Sequence, residues 1–116
     1  MLSAEPSAEN LPTQLNGVPL NPTVATEAKA VVLIFLASDC PISNRYAPLV
    51  NRMYETYKTK GIDFFAVYPM NSETVSGIKT HQQDYGYEMP ALMDKDHFLV
   101  NQTDAMVTPE TAVFLP

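Results

Sequence analysis

The strongest constraint on the fold is a pair of apolar segments separated by an amphipathic one. Residues 30–36 and Ile62–Tyr68 are rich in β-branched and aromatic side chains, and the first has no polar alternation. Such runs are typical of strands that are buried on both faces of a parallel sheet. Between them, apolar residues recur at helical period from Tyr46 to Tyr57. The order strand, helix, strand predicts an α/β fold with right-handed crossovers.

The remaining segments are expected to continue this alternation. A helix capped by Asn71 or Ser72 should end at Gly86, since glycine readily adopts the left-handed conformation that closes helices. The pair Asn16-Gly17 predicts a type I′ turn in an edge hairpin. The other predicted elements are a short strand at 91–93, a short helix at 98–105 and a strand at 111–115.

Length and charge narrow the domain count and the function class. The 116 residues suffice for one domain with its own core. The 13 acidic and 7 basic side chains give a net charge of −6, which argues against a nucleic-acid-binding face or a basic membrane patch. The longest apolar run, 30–37, is far shorter than the roughly 20 residues of a spanning helix. We expect a flexible tail at 1–13 and one domain at 14–116 that lacks the last strand and helix of its fold.

The single cysteine, Cys40, lies where the first buried strand gives way to a helix. Pro41 follows it, and proline is favoured at the first helical position. Reactive groups of open α/β sheets gather at the carboxyl ends of strands, and unpaired N–H groups at a helix start favour the thiolate. The charge of Asp39 acts in the opposite direction. We therefore expect Cys40 to be a nucleophile rather than a small buried apolar residue.

Four motifs resemble those of thioredoxin-like redoxins, the group of alkyl hydroperoxide reductases and thiol-specific antioxidant proteins. The sequence FLASDCPISNRY at 35–46 resembles their active-site region, and Pro48 stands where thioredoxins carry a helix-kinking proline. Residues 107–109, Val-Thr-Pro, resemble their cis-proline loop, and 89–96 resemble the stretch before it. The resemblance implies a thioredoxin-like α/β fold, with a mostly parallel central sheet, flanking helices and a cis bond before Pro109.

The resemblance also assigns roles to individual residues. It implies that Cys40 is the nucleophile, that Ser43 can hydrogen-bond to its thiolate, and that a substrate groove is formed by Pro41, Thr108 and Pro109. Thioredoxins carry a second cysteine where this chain has Ser43, so a dithiol cycle cannot close within it. The expected activity is thiol–disulfide exchange by one cysteine, through a mixed disulfide that an outside thiol resolves. The expected partner is a thiol- or disulfide-bearing protein or a small thiol, with no cofactor and no metal.

Two other functions stay open at this point. Loss of the second cysteine also fits a degenerate thioredoxin-fold module that only binds a partner. A one-cysteine peroxidase is the other alternative, although peroxiredoxins carry proline and threonine where this chain has Leu33 and Ala37. A copper site of the kind found on this fold is not favoured, because its second cysteine is replaced by Asn44.

The resemblance to redoxins also bears on the location of the protein. Redoxins of this kind are often exported bacterial proteins, so we expect an extracytoplasmic protein whose signal has been removed, with a cytoplasmic location as the alternative.

We expect His81 and His97 to lie on the surface. The acidic residues Asp94, Asp96 and Asp104 are interpreted as a solvated turn and a helix cap.

Overall fold

The computed structural model describes residues 10–24 and 27–115, and within these ranges five strands form a single sheet. The strands are β1 (Thr13–Gln14), β2 (Ala30–Phe35), β3 (Ile62–Tyr68), β4 (Ala91–Met93) and β5 (Glu110–Phe114). The helices are α1 (Pro41–Arg45), α2 (Ala47–Tyr57), α3 (Val75–Tyr85) and α4 (Phe98–Thr103). The predicted alternation of strands and helices is confirmed.

The sheet has a parallel centre and antiparallel edges. Its strand order is β1-β4-β3-β2-β5, in which β2, β3 and β4 are parallel. Strand β5 runs antiparallel beside β2, and β1 runs antiparallel beside β4. This arrangement confirms the predicted mostly parallel α/β sheet, and it places the carboxyl end of β2 next to the start of β5.

Both faces of β2 are buried, which explains its uninterrupted apolar sequence. Alternate side chains of a strand point to opposite faces. Val32 and Ile34 pack in a core with α2 and α3, whereas Val31, Leu33 and Phe35 pack in a second core with α4.

The helix that follows Cys40 is interrupted at Tyr46, which separates α1 from α2. Pro48 is the cause, because its ring lacks an N–H and leaves no room for the helical carbonyl of Asn44. In the first turn of α2 the missing N–H removes no helical bond. The predicted kink is therefore confirmed, and it appears as a break between two helices.

The predicted cap of α3 is wrong. Neither Asn71 nor Ser72 caps it; the side chain of Thr74 accepts a hydrogen bond from the Gly77 N–H at 3.0 Å. Glu73 consequently precedes the helix. The end of α3 is as predicted, since Gly86 adopts a left-handed conformation with φ of 72°.

Two further polar side chains are not solvated as predicted, although Asp94 does cap a helix. His81 and Asp94 are buried rather than exposed, with only 4% and 1% of their surface accessible. The Asp94 carboxylate accepts from the N–H groups of Leu99 and Val100, both at 3.0 Å, and so closes the start of α4 from inside the core. A buried carboxylate is tolerated because its oxygens are hydrogen-bonded.

The N-terminal segment contributes an edge strand. Residues 1–9 of the expected tail lie outside the described residues, and Thr13 pairs with Met93. The predicted type I′ turn is wrong, because Gly17 has a positive φ (89°) and Asn16 does not. None of the helices in the two described ranges is long and apolar enough to cross a membrane.

Candidate active site

Cys40 occupies the turn that joins β2 to α1. The turn is closed by a hydrogen bond from the Cys40 N–H to the Ala37 carbonyl at 3.2 Å. Cys40 itself is the N-cap of α1, and Pro41 begins the helix with an exposed side chain. The sulfur therefore lies half-buried at the carboxyl end of a central strand, as the sequence predicts.

The sulfur of Cys40 is held by the backbone of α1. The Ser43 N–H donates a hydrogen bond to Sγ at 3.4 Å, and this bond is the main cause that lowers the pKa of the Cys40 thiol. A hydrogen bond from the Thr108 side chain and one from the Ile42 backbone lower this pKa further, while burial and the Asp39 carboxylate raise it. The balance favours the thiolate, which is the reactive form of cysteine.

The hydroxyl of Ser43 does not make the predicted hydrogen bond to the sulfur. Ser43 is fully buried, and its Oγ has no hydrogen-bond partner among the described residues. The backbone N–H of Ser43, rather than its hydroxyl, makes the contact with the sulfur. Position 43 therefore acts on Cys40 through a group that any residue except proline would supply.

The loop before β5 reaches Cys40 from the other side. The Thr108 carbonyl oxygen accepts a hydrogen bond from the Cys40 thiol at 3.7 Å, and the bond between Thr108 and Pro109 is cis, as predicted. The carboxylate of Glu110 accepts from the N–H groups of Met106 and Val107 at 2.9 and 3.1 Å. Sequence reasoning missed Glu110, whose hydrogen bonds hold this loop beside the cysteine.

An apolar groove of about 440 Å³ lies beside Thr108. It is lined by Phe35, Pro69, Met70, His97, Val100, Ala105, Met106, Val107 and Thr108. Met106 is 88% exposed and Val107 66% exposed, so the groove presents apolar side chains to solvent beside the candidate reactive group. Of the predicted site residues, Cys40, Ser43 and Thr108 meet at one point, and Pro41 and Pro109 flank it.

The family model of the AhpC/TSA proteins matches residues 6–115. The chain belongs to the AhpC/TSA family. The resemblance of its motifs to thioredoxin-like redoxins is thereby confirmed. No curated protein matches the chain in sequence.

Solved structures confirm the thioredoxin-like fold of this AhpC/TSA protein. An uncharacterized conserved protein from Geobacillus kaustophilus aligns with a TM-score of 0.78 and 22% identity over 91% of the chain, which spans 61% of that protein. A thioredoxin-like protein from Aeropyrum pernix aligns with a TM-score of 0.74 and 19% identity, over 90% of this chain and 73% of that protein. A secreted Mycobacterium tuberculosis disulfide oxidoreductase homologous to E. coli DsbE aligns with a TM-score of 0.70 and 17% identity, over 92% of this chain and 84% of that protein.

The AhpC/TSA protein also anchors its cysteine turn to the segment before α3, through Glu73. Its carboxylate, in a side chain that is 5% exposed, accepts from the Ser38 N–H at 2.8 Å and from the Ser38 hydroxyl at 2.7 Å. Hydrogen bonds accepted by a carboxylate are stronger than those between neutral groups. Ser38 lies two residues before Cys40, so this link fixes the entry to the turn.

A second link holds the exit of the turn. His81 Nε2 lies 2.7 Å from Asn44 Oδ1, and His81 Nδ1 lies 2.8 Å from the hydroxyl of the fully buried Tyr68. Sequence reasoning missed this link as well. The available signal was the position of His81 three residues after Ile78, on the face of α3 that turns to the core.

Proposed function

We propose that this AhpC/TSA protein is a thiol–disulfide oxidoreductase that acts through Cys40 alone. The observation that carries the proposal is the hydrogen bond from the Ser43 N–H to the sulfur of Cys40 at 3.4 Å. It stabilises a thiolate on a side chain that is still half-exposed, so that a partner sulfur can reach it.

The reaction conserves atoms and electrons in two exchanges. The Cys40 thiolate attacks one sulfur of a partner disulfide, a new S–S bond forms to Cys40, and the other partner sulfur leaves as a thiolate. A second thiolate, from a small thiol or another protein, then attacks the partner sulfur of this mixed disulfide and releases Cys40. The second thiol is required because the chain has no other cysteine.

The surroundings of Cys40 support a protein partner. Pro41, Thr108 and Pro109 are proposed to border the bound segment, and the apolar groove beside Thr108 offers a place for its neighbouring side chains. Met70 and Met106 suit this role, since methionine side chains adapt to differently shaped partners. Net acidity makes a nucleic-acid partner unfavourable.

An extracytoplasmic location fits this chemistry. The structurally similar disulfide oxidoreductase from Mycobacterium tuberculosis is a secreted protein. Disulfide-bearing substrates persist in oxidising compartments outside the cytoplasm. We therefore propose that the protein works on exported partners.

The test is a trapping experiment with a turnover assay. The protein is mixed with an excess of a small peptide disulfide at pH 7, and its intact mass is measured together with the thiol released. We expect one adduct per chain and one released thiol, followed by glutathione-dependent turnover of the peptide. Cys40→Ser is the control and should show neither. A folded wild-type protein that forms no adduct would contradict the proposal and favour the alternative of a module that only binds its partners.

A further inference from the structure

Three buried polar side chains form a continuous chain that ends beside Cys40. Tyr68 is fully buried in β3, His81 is 4% exposed in α3, and Asn44 is half-buried in α1. Distances of 2.8 Å from Tyr68 to His81 and 2.7 Å from His81 to Asn44 are those of strong hydrogen bonds. Thiol chemistry at Cys40 needs none of these groups directly, so their burial calls for another explanation.

The direction of each hydrogen bond follows from the partners. The side-chain oxygen of Asn44 can only accept, so His81 donates to it from Nε2–H. A neutral imidazole then has its lone pair on Nδ1, where it accepts from the Tyr68 hydroxyl. The neutral Nε2–H tautomer of His81 therefore satisfies all three groups, whereas a charged imidazolium would face the Tyr68 hydroxyl with a second donor.

The environment of His81 favours its neutral form. Burial is the largest effect on the pKa of His81 and lowers it, and the carboxylates of Glu73 and Asp84 raise it by less. The other groups that face the ring are Tyr85 and Tyr87, with ring centroids at 5.1 and 5.6 Å.

Asn44 transmits this arrangement to the cysteine turn through two further bonds. Its side-chain Nδ2 donates to the Ser38 carbonyl at 3.3 Å, and its backbone N–H donates to the Cys40 carbonyl at 2.9 Å. One residue thus ties the segment before Cys40 to the helical turn after it. The Ser43 N–H that contacts the sulfur belongs to the same turn.

We propose that His81 is a positioning residue for Cys40. His81 acts by fixing the side chain of Asn44. With Asn44 held, the first turn of α1 keeps the Ser43 N–H directed at the sulfur. The inference rests on the proposed function for its biological meaning. Its physical content concerns only the ionisation of Cys40.

The test measures the pKa of the Cys40 thiol in variants, from the pH dependence of the iodoacetamide reaction rate. His81→Phe removes both bonds, and Asn44→Leu removes the acceptor at similar size. We expect both variants to slow alkylation at pH 7 by roughly 3- to 10-fold. The reason is that a Cys40 pKa higher by up to about one lowers the fraction of thiolate, and hence the rate, by up to about tenfold. His81→Gln retains an N–H donor near Nε2 and should restore most of the rate.

The control is Gln82→Leu, at the next position of α3. Gln82 donates to the Met89 carbonyl at 2.9 Å, so its loss removes a comparable bond that does not involve Asn44. We expect reduced stability to urea with an unchanged Cys40 pKa. If His81→Phe does not fold, two other measurements test the inference. They are the Cys40 pKa in Asn44→Leu and the tautomer of His81 in the wild-type protein, from ¹⁵N NMR of the imidazole.

Two results would overturn the inference. One is an unchanged Cys40 pKa in a folded Asn44→Leu protein, and the other is an Nδ1–H tautomer of His81. Neither measurement uses a disulfide partner. A protein that fails the trapping experiment but shows the expected pKa changes would disprove the proposed function and leave the role of His81 intact.

Discussion

Ser43 donates its backbone N–H to the sulfur of Cys40 across 3.4 Å, while its hydroxyl lies buried with no partner among the described residues. The two groups of one residue therefore have separate effects. The backbone stabilises the thiolate, and the hydroxyl costs stability, since a buried polar group without a hydrogen bond has lost its water. Substitutions at position 43 can separate these effects.

Ser43→Ala should leave the thiol pKa of Cys40 low and make the protein more stable. The backbone N–H remains, and removing an unsatisfied hydroxyl should raise the free energy of unfolding by about 1 kcal/mol. Urea unfolding measures this change, and Ser76→Ala, at an exposed position near the start of α3, corrects for the helix preference of alanine. A Cys40 pKa that rises in Ser43→Ala would show that the hydroxyl does contact the sulfur.

Ser43→Cys should convert the site to a dithiol pair. The side chain at 43 is small, buried and in the first turn of α1, the position at which thioredoxins carry their second cysteine. The oxidised variant should have no titratable thiol and should recover two on reduction, and it should resolve mixed disulfides without an outside thiol. Ellman titration and intact mass test this. Two free thiols under oxidising conditions would contradict it.

Glu110→Ala should loosen the loop that carries Thr108. The carboxylate accepts from the N–H groups of Met106 and Val107, and these bonds lower the pKa of Glu110. Without them we expect faster amide hydrogen exchange at both residues and a higher Cys40 pKa, because the Thr108 side chain is less well held. Glu55→Ala, which removes an exposed carboxylate on α2, should change neither quantity.

Stability should decrease as the pH falls below about 6.5, the ordinary pKa of histidine. Burial lowers the pKa of His81 in the folded state, so below pH 6.5 the unfolded chain takes up the proton first and is favoured. The contribution of neutral His81 to stability is complete above its pKa in the unfolded chain. It is lost as the pH falls to its pKa in the folded protein. Urea unfolding of the wild type and His81→Gln from pH 8 to pH 5 isolates it. Parallel curves for the two proteins would rule it out.

Local sequence patterns were enough to place most elements. The apolar run predicted Ile62–Tyr68 with the observed bounds, and Pro48 and Gly86 marked the helix break and the helix end. A buried strand requires only a run of apolar residues, and proline and glycine act through their own backbone conformations. Both are properties of short segments. The placement of Cys40 at a strand-to-helix junction followed from the same patterns.

The contacts that tune the cysteine could not be read from the sequence. Ser38 and Glu73 are 35 positions apart, and Asn44 and His81 are 37 apart. Because the sequence does not show which distant polar groups share the interior, His81 was expected at the surface. Likewise, Asn71, Ser72 and Thr74 are all of residue types that cap helices, and the sequence does not show which of them precedes the first helical residue.

The sequence by itself thus determined most of the strands and helices and a cysteine at the start of a helix, because these depend on neighbouring residues and their periodicity. The tertiary structure decided what surrounds that cysteine. Parallel pairing of β2 with β3 brings Glu73 and His81 against the turn, and antiparallel pairing of β5 with β2 brings Thr108 to within 3.7 Å of the sulfur. The ionisation of Cys40 depends on these distant groups, which only the folded sheet brings together.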